Sequence, residues 1–126
     1  MSKITNTSEL EVETCEDTAT VTSNAADLEI IEITLEKTVS CGYSVPGGIV
    51  TYCTKITNPS EDITLTEAVF SDVLDSRLSY VAHSFTVNDV PENPTVNGQK
   101  IEYTIPEIAP ETVVTICLKA KVNKAV

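Results

Sequence analysis

The chain has 126 residues, enough for one domain of ordinary size with an appendage, since two separate cores would each be marginal at half that length. Thr, Val and Ile together supply 44 residues, with no Trp and one Met, a composition that points to an all-β domain. A net charge of -11 opposes nucleic acid and anionic membrane surfaces as partners, and a single histidine, His83, excludes a multi-histidine metal site and leaves one possible base for a nucleophile pair.

Residues 1–27 form an acidic N-terminal arm. The first 36 residues carry nine acids against one base, Lys3. Few large apolar side chains interrupt the arm: Ile4, Leu10, Val12 and Val21. That is too little to offset the entropy of ordering it alone. Within the arm Glu9 to Cys15 alternates, with Leu10 and Val12 on one face and Glu9, Glu11 and Glu13 on the other, which predicts a strand awaiting a sheet. Residues 28–126 are expected to form the folded domain. Leu28 and Ile30 share one parity and Ile31, Ile33, Leu35 and Lys37 the other, a phase change that marks a bulge or a sheet crossing.

Further strands are expected at Val50–Thr57, Ile63–Phe70, Leu78–Val81, Ser84–Val90, Ile101–Ile105 and Val114–Val122. They are separated by Pro46-Gly47-Gly48, Asn58-Pro59, a proline-rich loop at 91–94, the hairpin signal Asn97-Gly98, and Ala109-Pro110. Seven or eight short strands with no helix predict an Ig-like β-sandwich with an N-terminal extended arm.

The run Leu35-Glu36-Lys37, Val45-Pro46-Gly47-Gly48-Ile49-Val50-Thr51-Tyr52 and Ile56-Thr57-Asn58 is followed by Phe70-Ser71-Asp72-Val73-Leu74, Leu78-Ser79-Tyr80-Val81, Ile101-Glu102-Tyr103-Thr104-Ile105 and Ile108-Ala109-Pro110. In combination it resembles the bacterial surface Ig-like repeat catalogued as domain of unknown function eleven, over about residues 30–123. Asp75, Tyr103 and Glu111 depart from that pattern, where proline, tryptophan and glycine are usual. The resemblance implies a β-sandwich on a bacterial surface. Similar repeats in endospore appendages, whose subunits are made without an export signal, would match an N-terminus that lacks the basic start and apolar run of a secretory signal.

The four cysteines, Cys15, Cys41, Cys53 and Cys117, contain no Cys-x-x-Cys, so a zinc site is not expected. Cys53 and Cys117 lie opposite the apolar parity of their strands and should point outward, unlike the two inward cysteines of an immunoglobulin bridge. All four are therefore candidates for disulfides between subunits, with Leu10 and Val12 as the side chains that dock the arm. Glu61-Asp62 and Asp72/Asp75 read as solvated turns rather than a calcium site. Lys37 and Asn123 are placed like the partners of the intramolecular isopeptide bonds of some surface domains, but lack the motif of the acid such a bond needs. No catalytic residue, cofactor or metal is expected.

The resulting expectation is a non-enzymatic structural subunit of a self-assembling, disulfide-crosslinked extracellular fibre or of a spore or cell-surface appendage. It would be a homo-oligomer joined by strand addition of the N-terminal arm, with no nucleic acid partner and no membrane insertion. The alternative is a monomeric adhesin-like binding module that displays loops such as Val90 to Gly98.

Overall fold

A computed structural model describes residues 2–124. The protein is all-β, with thirteen strands and no helix among the described residues. The chain divides between Glu32 and Ile33 into two units, each built separately.

The first unit is a two-stranded ribbon. Its limbs are β1 (Ser2–Asn6) followed by β2 (Glu9–Glu13), and β3 (Thr18–Thr22) followed by β4 (Ala26–Ile30). β2 pairs with β3 and β1 with β4, both antiparallel. Directly paired residues share a face, so Leu10 with Val21 and Val12 with Ala19 line one side, and Glu9, Glu11 and Glu13 lie beside Thr22, Thr20 and Thr18 on the other. Ile4 pairs with Leu28, whereas Lys3 pairs with Glu29 and Thr5 with Asp27. The return limb has one more residue between its two strands than the outgoing limb, as in a bulge. This extra residue shifts the apolar positions from odd in β3 to even in β4 and keeps them in phase with the even positions Ile4, Leu10 and Val12. At the tip, Thr14 closes a turn with Asp17 through a 2.7 Å main-chain bond.

The strand expected at Glu9–Cys15 therefore finds its partner within the arm, in a segment whose apolar content is only Ala19 and Val21. Leu28 and Ile30, expected to open the domain, belong to the ribbon. The phase change after them coincides with the junction between the two units.

The second unit comprises β5 (Thr34–Val39), β6 (Ile49–Asn58), β7 (Leu65–Val73), β8 (Leu78–Tyr80), β9 (Thr86–Val87), β10 (Val90–Pro91), β11 (Thr95–Asn97), β12 (Lys100–Ile108) and β13 (Thr112–Val122). One sheet runs β10-β9-β13-β6-β5, with β8 also on β13, and a smaller one runs β11-β12-β7. The two inner faces enclose one core, in which Phe85, Ile101, Ile108, Ile116, Leu118 and Ala120 are nearly inaccessible to solvent. Ile56, Val114, Ile116 and Leu118 come from the larger sheet and Phe70, Ile101 and Ile105 from the smaller, the even-spaced pattern that a half-buried strand requires. The expected Asn97-Gly98 hairpin forms: Asn97 pairs with Lys100 and Gly98 takes a positive φ of 62° that suits glycine. Short β8 to β11 raise the count above the seven or eight strands expected.

Asn58 ties one end of the sandwich together. Its fully buried amide donates to the carbonyls of Ile63 at 2.9 Å, Ile108 at 3.0 Å and Ala109 at 3.2 Å, and its Oδ1 accepts from the Ser60 amide at 3.1 Å. The carbonyls of Ile63 and Ile108 and the Ser60 amide thus bond to one side chain, which shares the Ala109 carbonyl with the Thr112 hydroxyl. Asn58→Ala leaves these groups without that partner, and urea denaturation of the variant is expected to show a loss of about 2 to 4 kcal/mol.

Candidate functional site

The surface features with the strongest physical demand for a partner lie on the ribbon and along one open side of the sandwich. No described ribbon residue is buried, and Leu10, Val21 and Leu28 are 61%, 61% and 60% exposed. An isolated two-stranded ribbon is at best marginally stable in water. This one presents an apolar face and a face of Glu and Thr without a layer packed on either within the unit. Leu10 and Val12, expected to dock the arm, sit side by side on the apolar face.

The cysteines separate into two kinds. Cys53 and Cys117 do point away from the core, but they bond to each other within the chain. They occupy directly opposed positions on β6 and β13, with Cα atoms 4.1 Å apart. This corrects their expected role as links between subunits. The bridge joins neighbouring strands of one sheet, not the two sheets across the core. Outward parity was legible for each strand, whereas the register that sets the two residues face to face is a property of the sheet. Cys15 and Cys41 are free thiols, both exposed; Cys15 lies at the ribbon tip and Cys41 just beyond β5.

Along the open side, Lys37 on β5 reaches across to the smaller sheet, and its Nζ lies 2.7 Å from Oδ2 of Asp72 on β7. Asp72 is buried, Lys37 is half-exposed, and the ammonium also sits 5.0 Å from the centre of the Tyr52 ring. Lys37 is thus paired with Asp72, and Asn123 is engaged elsewhere. The Asn123 Oδ1 accepts from the Ser79 hydroxyl at 2.6 Å, and its Nδ2 donates to the Ser76 carbonyl at 3.2 Å.

The acidity of Asp75 and of Tyr103 is shifted. Arg77 donates from its Nε and Nη2 to Asp75 and from its main chain to Oδ1, which lowers the Asp75 carboxyl to about 2. Because the folded value lies below the ordinary one, the carboxylate form of this turn is kept above the usual carboxylate range and is lost only as pH falls towards 2. Burial, reinforced by the neighbouring Glu92 carboxylate, raises the Tyr103 phenol, whose ring packs 5.3 Å from that of Phe85. Both groups are structural: Asp75 shapes the loop before β8, and Tyr103 extends the aromatic core.

These features define a class: a small all-β domain with an intrachain disulfide and an amphipathic N-terminal ribbon. No helix is long and apolar enough to cross a membrane among the described residues. Comparison with protein-family models, curated proteins and solved structures finds no match to any of them.

Proposed function

We propose that the chain is a non-enzymatic structural subunit that assembles with copies of itself into an extracellular fibre or a spore or cell-surface appendage, joined by its N-terminal ribbon and secured by disulfides. The observation that carries this reading is the ribbon. It is ordered into paired strands, amphipathic, and without a core, so its stability is completed only when its apolar face is covered. The sandwich, by contrast, has its own core and needs no such help.

The Cys53–Cys117 bridge supports an oxidising compartment, where disulfides form and persist. With that pair closed, Cys15 and Cys41 are the thiols left for covalent locking between subunits. The resemblance to bacterial Ig-like surface repeats agrees with this setting.

A second reading, the monomeric adhesin-like module, draws on a crevice of about 340 Å³ lined by Asn93, Thr95, Asn97, Lys100, Glu102 and Tyr103, side chains suited to a glycan or peptide. Electron microscopy and non-reducing electrophoresis of the purified protein separate the two. Assembly predicts elongated particles and a ladder of covalent oligomers that collapses with reductant, and Cys15→Ser is expected to assemble but to come apart in denaturing detergent. A monodisperse monomer under oxidising conditions would favour the adhesin-like reading.

A further inference from the structure

We infer that the open side of the sandwich, between the free edges of β5 and β7, is the seat for the ribbon of a second copy of this chain, which enters as an added strand of the smaller sheet. The inference rests on the assembly reading above and specifies where the ribbon binds.

The larger sheet is wider than the smaller one and overhangs it. β5 ends one sheet and β7 ends the other, so both carry unpaired main-chain groups along one side. The overhang is visible in the side chains. Leu35 and Val39 stand opposite Ile56 and Tyr52 in the β5–β6 register, on the face that forms the core, yet they are 65% and 40% exposed. What they lack is a strand beneath them, next to β7. Val69 and Val73 on β7 are exposed for a different reason: paired with Thr104 and Lys100, they lie on the outer face of the smaller sheet, whereas Phe70 and Asp72 face inward.

The space has the shape that a strand would fill. A crevice of about 400 Å³ follows β7 from Val69 to Val73 and is roofed by Leu35 and Lys37 of β5. A narrower apolar crevice of about 150 Å³ adjoins it, lined by Ile33, Ile56, Leu65, Ile105 and Ile108 among others. The residues Ala68 to Ser71 contain neither lysine nor proline, and the two charged side chains that point inward here, Asp72 and Lys37, are paired with each other. An added strand would supply the missing main-chain hydrogen bonds, and its alternate side chains would cover Leu35 and fill the crevice.

The ribbon meets both needs. Its two-stranded form leaves a free edge on each limb, and its apolar side chains recur at every second residue. Each of its strands is five residues long, as is the β7 stretch that borders the larger crevice. The exposed Leu10, Val21 and Leu28 of the ribbon and the exposed Leu35 and Val39 of the seat give the contact apolar side chains on both sides. A ribbon from one copy in the seat of the next leaves a free seat at one end and a free ribbon at the other, so the contact is head-to-tail and propagates.

The test uses two full-length variants and sedimentation analysis. Leu10→Asp with Val12→Asp damages the ribbon and leaves the seat intact; Leu35→Asp, on the overhanging face of β5, damages the seat and leaves the ribbon intact. Both sites are exposed, so each variant is expected to keep the parent's circular dichroism. Alone, each should need about tenfold or more protein to assemble. Mixed, they should form dimers that do not grow, because the mixture has one sound ribbon and one sound seat per pair. If the Leu35→Asp variant assembles like the parent while the ribbon variant does not, the seat is wrong and ribbon-driven assembly stands. If both assemble like the parent, the ribbon reading itself fails. A parent that stays monomeric, with slow hydrogen exchange along β7 that the ribbon variant loses, would show the chain closing on itself and overturn the second copy as occupant.

Discussion

A chain lacking residues 1–32 is expected to remain a folded, monodisperse sandwich at concentrations where the full chain assembles. The reason lies in where the buried side chains are. Among the described residues every buried apolar side chain falls between Val50 and Ala120, and both sheets of the sandwich are complete without β1 to β4. Removal of surface that is already solvated changes stability little, within about 0.5 kcal/mol by the usual behaviour of surface changes, so the urea midpoint of the truncated chain should match that of the sandwich in the parent. Assembly should respond in the opposite way. Loss of the ribbon removes the apolar face and both strand edges at once, and no partial contact remains to sustain a joint. Circular dichroism and light scattering give the two readouts. Fibres built by residues 33–126 alone would exclude the ribbon as the connector, and unfolding of that fragment would mean that the ribbon belongs to the subunit's own core.

Much of this architecture could be read from the sequence because side-chain alternation survives into the sheets almost unchanged. Val114, Ile116, Leu118 and Ala120 keep one parity and are buried, whereas Lys119 and Lys121 keep the other and are exposed. Asn58 was visible as the end of a strand, but its role in holding three carbonyls depends on loops that return from residues 63 and 108 to the same point. Long-range pairing was the part not legible. The β2–β3 pairing was hidden because β3 is mostly threonine, which marks a strand but not which partner it takes. The bulge in the return limb then changes parity, so a reader following one alternation loses it between Val21 and Leu28. The Cys53–Cys117 bridge was hidden for the same reason: each cysteine declares its face, and only the β6–β13 register puts the two opposite each other. The open side between β5 and β7 is less legible still, because it arises from a difference in width between two sheets and from no single residue.

Replacing both bridge residues, Cys53→Ser with Cys117→Ser, is expected to lower the stability of the sandwich by about 4 kcal/mol, the loop-closure value for the sequence separation of 64. The two cysteines join β6 to β13, the central strands of the larger sheet and the ones that carry Ile56, Val114, Ile116 and Leu118 into the core. In the unfolded chain the bridge ties the middle of the domain to its end, so its loss enlarges the unfolded ensemble more than a local link would. The folded state changes little. Both side chains sit on the outer face at intermediate exposure, where a serine hydroxyl is solvated, and ten register pairs hold β6 against β13 without the sulfurs. A domain of this size has about 5 to 15 kcal/mol in total, so the reduced sandwich should fold but lie close to its limit. Urea unfolding with and without reductant gives the measurement, with the serine variant as the control that reductant cannot shift. Equal midpoints for oxidised parent, reduced parent and serine variant would mean that the bridge constrains nothing the strands do not already fix. A shift of the expected size would tie the fold to an oxidising compartment, because the same chain kept reduced would lose much of its margin against unfolding.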